Sequence, residues 1–233
     1  MGKFFGTDGI RGIANEGIMT AETAMKLGMA MGTIFKNGSH KHKVVIGKDT
    51  RLSGYLLEPA LTSGFIAVGI DVLLVGPMPT PSVAMLTKSL RADIGIVLSA
   101  SHNTFQYNGI KAFTSQGLKI DHDMEARIEN LMLSYPKNIS FASVQDLGKA
   151  IRLDDAPGRY IEFAKNTFPK GKNLNDLKIV IDSANGASYH IVKNVFWELG
   201  ADVIHIGNSP NGLNINKNCG SIHPQEAANH VLQ

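Results

Sequence analysis

The 233-residue sequence predicts an α/β fold with mostly parallel sheets covered by helices, in an architecture used twice. Three observations carry that expectation. The runs "KVVIG" (43–47), "DVLLVG" (71–76) and "ADIGIVLS" (92–99) are apolar at successive positions through their centres, as strands buried on both faces are. Helical segments lie between them. Finally, "VVIGKDTRLSG", a helix and "GIDVLLVGPMPTP" have a counterpart about 135 residues later, in "IVIDSANGASY" (179–189) followed by "VFWELGADVIHIGNSPNG" (195–212).

In chain order, a glycine-rich start precedes Thr20, an N-cap type for a helix that carries Ala24, Leu27, Met31 and Ile34 and closes at Asn37-Gly38. The strand at 43–47 leads into a helix over 53–69, then the strand at 71–76, a proline-rich loop "GPMPTP", a helix and the third strand. "GIKAF" (109–113), followed by the turn "TSQG", reads as a fourth strand, and "HDMEARIENLML" (122–133) as a helix. Each echoed unit is a right-handed strand-helix-strand crossover. Two copies predict two domains, 1–152 and 153–233, with the boundary in the polar segment "LGKAIRLDDAPGRY" (147–160). The second holds two strong strands in about 80 residues, too few to bury a core, and its last residues lie inside an apolar periodic pattern. The expectation is that this domain continues past Gln233.

Composition narrows the class of function. The net charge of +3 comes from 23 basic and 20 acidic residues dispersed along the chain, so a pI near 8.9 marks a mixed solvated surface and no nucleic-acid stripe. Cys219 is the single cysteine and has no internal disulfide partner. The start "MGKFFGTDGIRG" lacks the apolar core of a secretory signal, and no apolar run reaches the roughly 20 residues of a membrane span. A cytoplasmic protein without membrane or nucleic-acid partners is expected.

Open α/β sheets bind ligands beyond the carboxyl ends of their strands, where the polar loops here fall. After the first strand, Lys48 and Arg51 stand beside a helix start, whose free N–H groups and dipole favour an anion, which suggests a phosphate. The stretch "FGTDGIRG" (5–12) adds Thr7, Asp8 and Arg11 between glycines that permit close backbone approach, or else is a flexible start and a tight turn. In "GIVLSASHNTFQYNGIK" (95–111), a serine just past a buried strand is held at a crevice as a nucleophile is, though the residues do not choose between Ser99 and Ser101. His102 beside it is either a proton carrier or an inert loop residue, and Lys111 either neutralises a phosphoryl group or is a surface lysine. Asn103 belongs to the same loop. The loop "DSANGAS" after the second-copy strand reads as structural, and no Asp, Glu or His cluster has metal-ligand spacing.

Six segments together, "FGTDGIRG", "IGKDTRLSG", "GPMPTPSVAMLT", "GIVLSASHN...NGIK", "DSANGA" and "PNGLNIN...CGSIHP", resemble the α-D-phosphohexomutase family, end to end and in order. "FGTDGIRG" and "GPMPTP" look most like its glucosamine branch. The resemblance implies three-layer α/β/α domains with mostly parallel mixed sheets, this chain covering the first and most of the second of four. It implies that Ser101 carries a phosphoryl group, exchanged with a hexosamine phosphate through a sugar bisphosphate. His102, Lys111 and Arg11 match positions around the phosphoserine, with Thr7 and Lys48 matching less specifically. Mg2+ is implied too, held by the Ser101 phosphate and by a D-G-D-G-D loop absent from these residues, so the chain alone is expected to be inactive. A phosphomannomutase/phosphoglucomutase, or a non-catalytic module of the same domain, remain alternatives, and a homodimer is compatible with the sequence. One departure stands out: Thr104 replaces the proline of the family's "SHNP", which leaves the stiffness of the loop in question.

Overall fold

The computed structural model describes residues 4–6 and 8–232. The elements run β1 (Ile10–Ile13), α1 (Ala21–Phe35), β2 (Lys43–Lys48), α2 (Gly54–Ala67), β3 (Asp71–Pro77), α3 (Thr80–Ser89), β4 (Ile94–Leu98) and β5 (Tyr107–Thr114). They continue with α4 (His122–Ser134), β6 (Ala150–Arg152), α5 (Ala156–Lys165), β7 (Lys178–Asp182), α6 (Val192–Glu198), β8 (Asp202–Ile206) and α7 (Gln225–Val231). Local capping agrees with the sequence: the Thr20 hydroxyl accepts from Thr23 N–H at 3.3 Å to start α1, and the Asp121 carboxylate accepts from Met124 N–H at 2.8 Å to start α4.

Six strands form one sheet in the order β1-β5-β4-β2-β3-β6. The run β4-β2-β3-β6 is parallel, and β5 is antiparallel to both its neighbours. Alternation along the strands divides the core in two. Val44, Ile46, Ile94, Ile96 and Leu98 face α1, α2 and α4 through Leu27, Leu61, Phe65 and Ile128. Val45, Leu73, Val75 and Val97 face α3 and α5 through Val83, Leu86 and Ile161. Both faces are covered, which is why β2 and β4 read as unbroken apolar runs.

The echoed segments fold alike. β2-α2-β3 and β7-α6-β8 each place two parallel strands side by side around one helix, and β7 and β8 make a separate two-stranded sheet. No residue of β7 or β8 is fully buried. The second sheet is tied to the first unit by α5, which packs against both α3 and α6. Ala156 and Ile161 of α5, with Ile191, belong to the same buried cluster as Val83 and Leu86.

Two strands fall where the sequence pattern predicts none. β1 lies in the glycine-rich start, paired to β5, and β6 lies inside the polar stretch read as a boundary, paired to β3. Both are edges, and the three residues of β6 are all exposed. An edge strand is held by one ladder and needs no apolar run, so periodicity is blind to it. Among the described residues, no helix is long and apolar enough to cross a membrane.

Candidate functional site

The carboxyl ends of β2 and β4 adjoin, with Lys48 opposite Leu98, and Asp49 N–H donates to Leu98 O at 2.9 Å. The loops that follow, 49–53 and 99–106, therefore leave the sheet at one edge. On the other side of β4, Ser99 N–H donates to Gly109 O at 2.9 Å, and Gly109 is the register partner of Arg11. Ser99, Gly109 and Arg11 thus form one row across three strands. Lys111, two residues from Gly109, falls on the same face as Arg11. Gly9 brings the first loop onto this edge: its φ is +89°, and a Cβ there would lie 2.4 Å from Ile110 O. Arg11 itself is partly exposed and pairs with Asp8 at 3.4 Å.

The 99–106 loop separates its two serines. The Ser99 hydroxyl accepts from Ser101 N–H at 3.1 Å and is tied into the turn, whereas Ser101 and His102 are exposed. Ser101 adopts φ +57°, a left-handed conformation that costs a non-glycine residue about 1–2 kcal/mol. Something must hold it there.

Arg51 is the first part of the answer. Its side chain is 0% exposed, and Nε donates to Asp49 Oδ2 at 2.9 Å. One terminal nitrogen donates to Ser101 O at 3.0 Å and Asn103 O at 2.9 Å, and the other donates to Thr104 O. The expectation of a phosphate on Arg51 finds no support here: the side chain is buried, and four of its five N–H donors are engaged inside the protein, by one carboxylate and three loop carbonyls. Lys48 is likewise engaged within the protein: its ammonium pairs with Glu58 at 2.6 Å, is nearly buried and lies 4.5 Å from the Tyr55 ring centroid. Burial of a cation requires such a partner, and each basic residue of "KDTR" sits in an ion pair.

The second part comes from the other unit. Asn216 donates from Nδ2 to Ser101 O at 2.8 Å and to Asn103 O at 2.9 Å. Around it, Leu52 N–H donates to Gly212 O at 2.9 Å and the Thr50 hydroxyl to Asn185 O, so the loops after β2 and β7 meet directly. Sequence reasoning assigns no role to Asp49, Glu58 or Asn216. The segment "PNGLNIN" is visible as a motif, but its partner lies 115 residues away in the chain.

Of the expected site residues, Ser101, His102, Asn103, Arg11 and Lys111 gather at this edge. Asn103 takes part through its carbonyl, and Thr7 lies outside the described residues. The loop after β7 is structural: Asp182 accepts from Ala184 N–H and Gly220 N–H, and Ser183 Oγ lies 2.6 Å from His205 Nε2. Burial, then the charge of Lys193, hold the His205 imidazole below its ordinary pKa, and burial does the same for His190. Burial also raises the Cys219 thiol, which is not poised as a nucleophile. His40, His42 and Asp93 have ligand-type atoms within 4.8 Å of one another, a cluster that sequence spacing does not disclose. They precede β2 and β4 and so stand at the amino edge of the sheet, opposite Ser101.

These features define a three-layer α/β/α protein that presents a serine on a left-handed turn, beside two cations, at the carboxyl edge of its sheet. The chain belongs to the phosphoglucomutase/phosphomannomutase family, whose alpha/beta/alpha domain I matches residues 2–138. It is 56% identical over 231 residues to a phosphoglucosamine mutase of Parvibaculum lavamentivorans, covering 99% of this chain and 51% of that protein. With a phosphoglucosamine mutase of Paramagnetospirillum magneticum it shares 59% over 230 residues, covering 99% and 51%. The chain thus spans about half the length of the curated relatives it matches. A solved phosphoglucomutase/phosphomannomutase family protein from Burkholderia thailandensis superposes with a TM-score of 0.75 at 27% identity, covering 87% of this chain and 43% of that one.

Proposed function

We propose that this chain is the serine-bearing part of a phosphoglucosamine mutase, interconverting glucosamine 6-phosphate and glucosamine 1-phosphate. The observation that carries the reading is the exposed Ser101 on its left-handed turn, at the sheet edge where Arg11 and Lys111 share one face. The names of the relatives support glucosamine as the sugar. Ser101 would hold the phosphoryl group. In the forward half, the bond from Ser101 Oγ to phosphorus breaks as a bond forms to the free hydroxyl oxygen of the sugar monophosphate, and that hydroxyl proton leaves, with His102, next to Ser101 in sequence, as a candidate acceptor. The resulting sugar bisphosphate turns over, its other phosphate returns to Ser101 Oγ, and the product hydroxyl regains a proton. Such transfer is mainly positioning and charge neutralisation, which Arg11 and Lys111 suit as cations fixed on strands.

Mg2+ would neutralise charge on the transferring phosphate. The described residues do not by themselves fit it: near Ser101, Asp49 is bonded to Arg51 and Asp8 to Arg11, and the His40, His42 and Asp93 set is nitrogen-rich and at the far edge. The reading extends to two domains, 1–152 and 153–233, to a cytoplasmic setting, to a homodimer, and to the inactivity of these residues alone. The test uses the chain extended to the length of its curated relatives. Ser101→Ala is expected to abolish turnover of glucosamine 6-phosphate, and peptide mass spectrometry of protein from cells to find phosphate on Ser101. Wild-type turnover by Ser101→Ala removes Ser101 from the mechanism. Parallel assays on glucose and mannose phosphates decide the branch.

A further inference from the structure

We propose that Asn216 is a positioning residue for the reactive serine, so that the second unit sets the geometry of the loop borne by the first. This rests on the reading of Ser101 as phosphoryl carrier. Ser101 O and Asn103 O are two residues apart, and each accepts one bond from Arg51 and one from Asn216. A carbonyl oxygen has two lone pairs, so both acceptors are saturated. Drawing these two carbonyls, and that of Thr104, towards buried donors turns the backbone inward. The Ser101 and His102 side chains are left facing solvent, as observed.

The residue type is specific to the task. One primary amide carries two hydrogens that diverge, and Nδ2 of Asn216 gives one to each carbonyl, at 2.8 and 2.9 Å. An aspartate in its place would present oxygen to oxygen. Asn216 is 8% exposed, has φ +56°, and is anchored by its N–H to Ala184 O at 2.9 Å, in the loop that follows β7. The loop after β7 also accepts from the Thr50 hydroxyl, at Asn185 O, and Gly212 O of the loop after β8 accepts from Leu52 N–H, on either side of Arg51. Arg51 itself is fixed by Asp49 at the end of β2, and the residues on either side of it touch the second unit, which carries Asn216. A shift of the second unit moves Asn216 directly and Arg51 through its neighbours, and thus the left-handed turn at Ser101.

Two variants test this. Asn216→Gly keeps the positive φ and deletes the amide; Asn216→Asp keeps the size and removes the donors. In the 233-residue chain, hydrogen exchange over 99–107 is expected to rise at least tenfold at Ser101, Asn103 and Tyr107 N–H, while β4, β5, β7 and β8 stay protected. In the chain extended to the length of its relatives, assayed with glucosamine 6-phosphate and a hexose bisphosphate activator, kcat is expected to fall about 10–100-fold with KM nearly unchanged. Asn216→Asp falls further than Asn216→Gly. Unchanged exchange in both variants overturns the proposal, as does a loss seen only in KM or only together with melting of β7 and β8. Ser101→Ala, run alongside, separates the two ideas: if it retains turnover the carrier reading fails, and the exchange result still decides whether Asn216 holds the loop.

Discussion

Replacing Arg51 by methionine keeps much of the buried volume and removes the guanidinium that joins Asp49 to the serine loop. The size of the effect can be worked from its partners. Asp49 is left 5% exposed without its cation, and breaking a buried ion pair from one side costs about 3–5 kcal/mol. Asp49 Oδ1 keeps the backbone N–H of residue 51 at 3.1 Å, which favours the lower end of that range. Thr104 O loses its donor, for about 1 kcal/mol, while Ser101 O and Asn103 O retain Asn216 and lie in a loop that water can reach. The expected loss is about 3–4 kcal/mol, or a melting temperature lower by about 6–16 °C in a chain of this size. Urea unfolding followed by circular dichroism gives the free energy, and hydrogen exchange over 99–107 locates it. Because most of the loss is a stranded charge, Asp49→Asn combined with Arg51→Met should be more stable than Arg51→Met alone. Arg51→Lys, which keeps the charge but not the fork, should lie between Arg51→Met and the parent. Arg51→Met within about 1 kcal/mol of the parent, or a double variant weaker than the single, would refute the ion-pair account.

Gly9→Ala places a Cβ 2.4 Å from Ile110 O at a φ of +89°, and is expected to destabilise by about 2–4 kcal/mol, measured by the same unfolding assay. The acid side of the stability profile should slope through the second unit. The His205 and His190 imidazoles have depressed pKa values in the fold, so below the unfolded value of about 6.5 the unfolded chain binds more protons and stability falls as pH falls. Urea midpoints at pH 7.5, 6.0 and 5.0 should decline, and His205→Gln should flatten the decline; a midpoint that rises on acidification contradicts this.

How much is legible in the sequence follows from where each signal sits. The parallel core is, because β2, β3 and β4 are buried on both faces and announce it by composition alone, and the repeated crossover is, because β7-α6-β8 carries the same order of strand, loop and helix. The gathering of Ser101, Arg11 and Lys111 at one edge follows from strand ends and from family resemblance. The environment of the cations does not. Lys48 and Arg51 look like anion ligands when read along the chain, but Glu58 is one helical segment on and Asp49 is beside Arg51, and only folding shows that each carboxylate is turned onto its cation in a dry place. β6 and α5 are hidden for the opposite reason: their polar stretch reads as a boundary, while a single-ladder edge and one buried face are compatible with polar residues almost everywhere.

The same comparison bears on why the strain at Ser101 is tolerated. A left-handed serine in an exposed loop would relax more readily if its carbonyls were free, since within "SASHN" only the Ser99 hydroxyl and one turn bond, Asn103 N–H to Ala100 O, hold it. Here Arg51 is held by Asp49 at the end of β2, and Asn216 by the turn after β7, so the conformation is determined by two rigid supports that originate in different sheets. Losing either support leaves Ser101 O and Asn103 O with one donor each, and losing both frees the turn. The serine loop is thus encoded less by its own residues than by the carboxyl edges of two strands, and substitutions at Asp49, Arg51 or Asn216 should alter the turn at Ser101 without changing any residue of the loop.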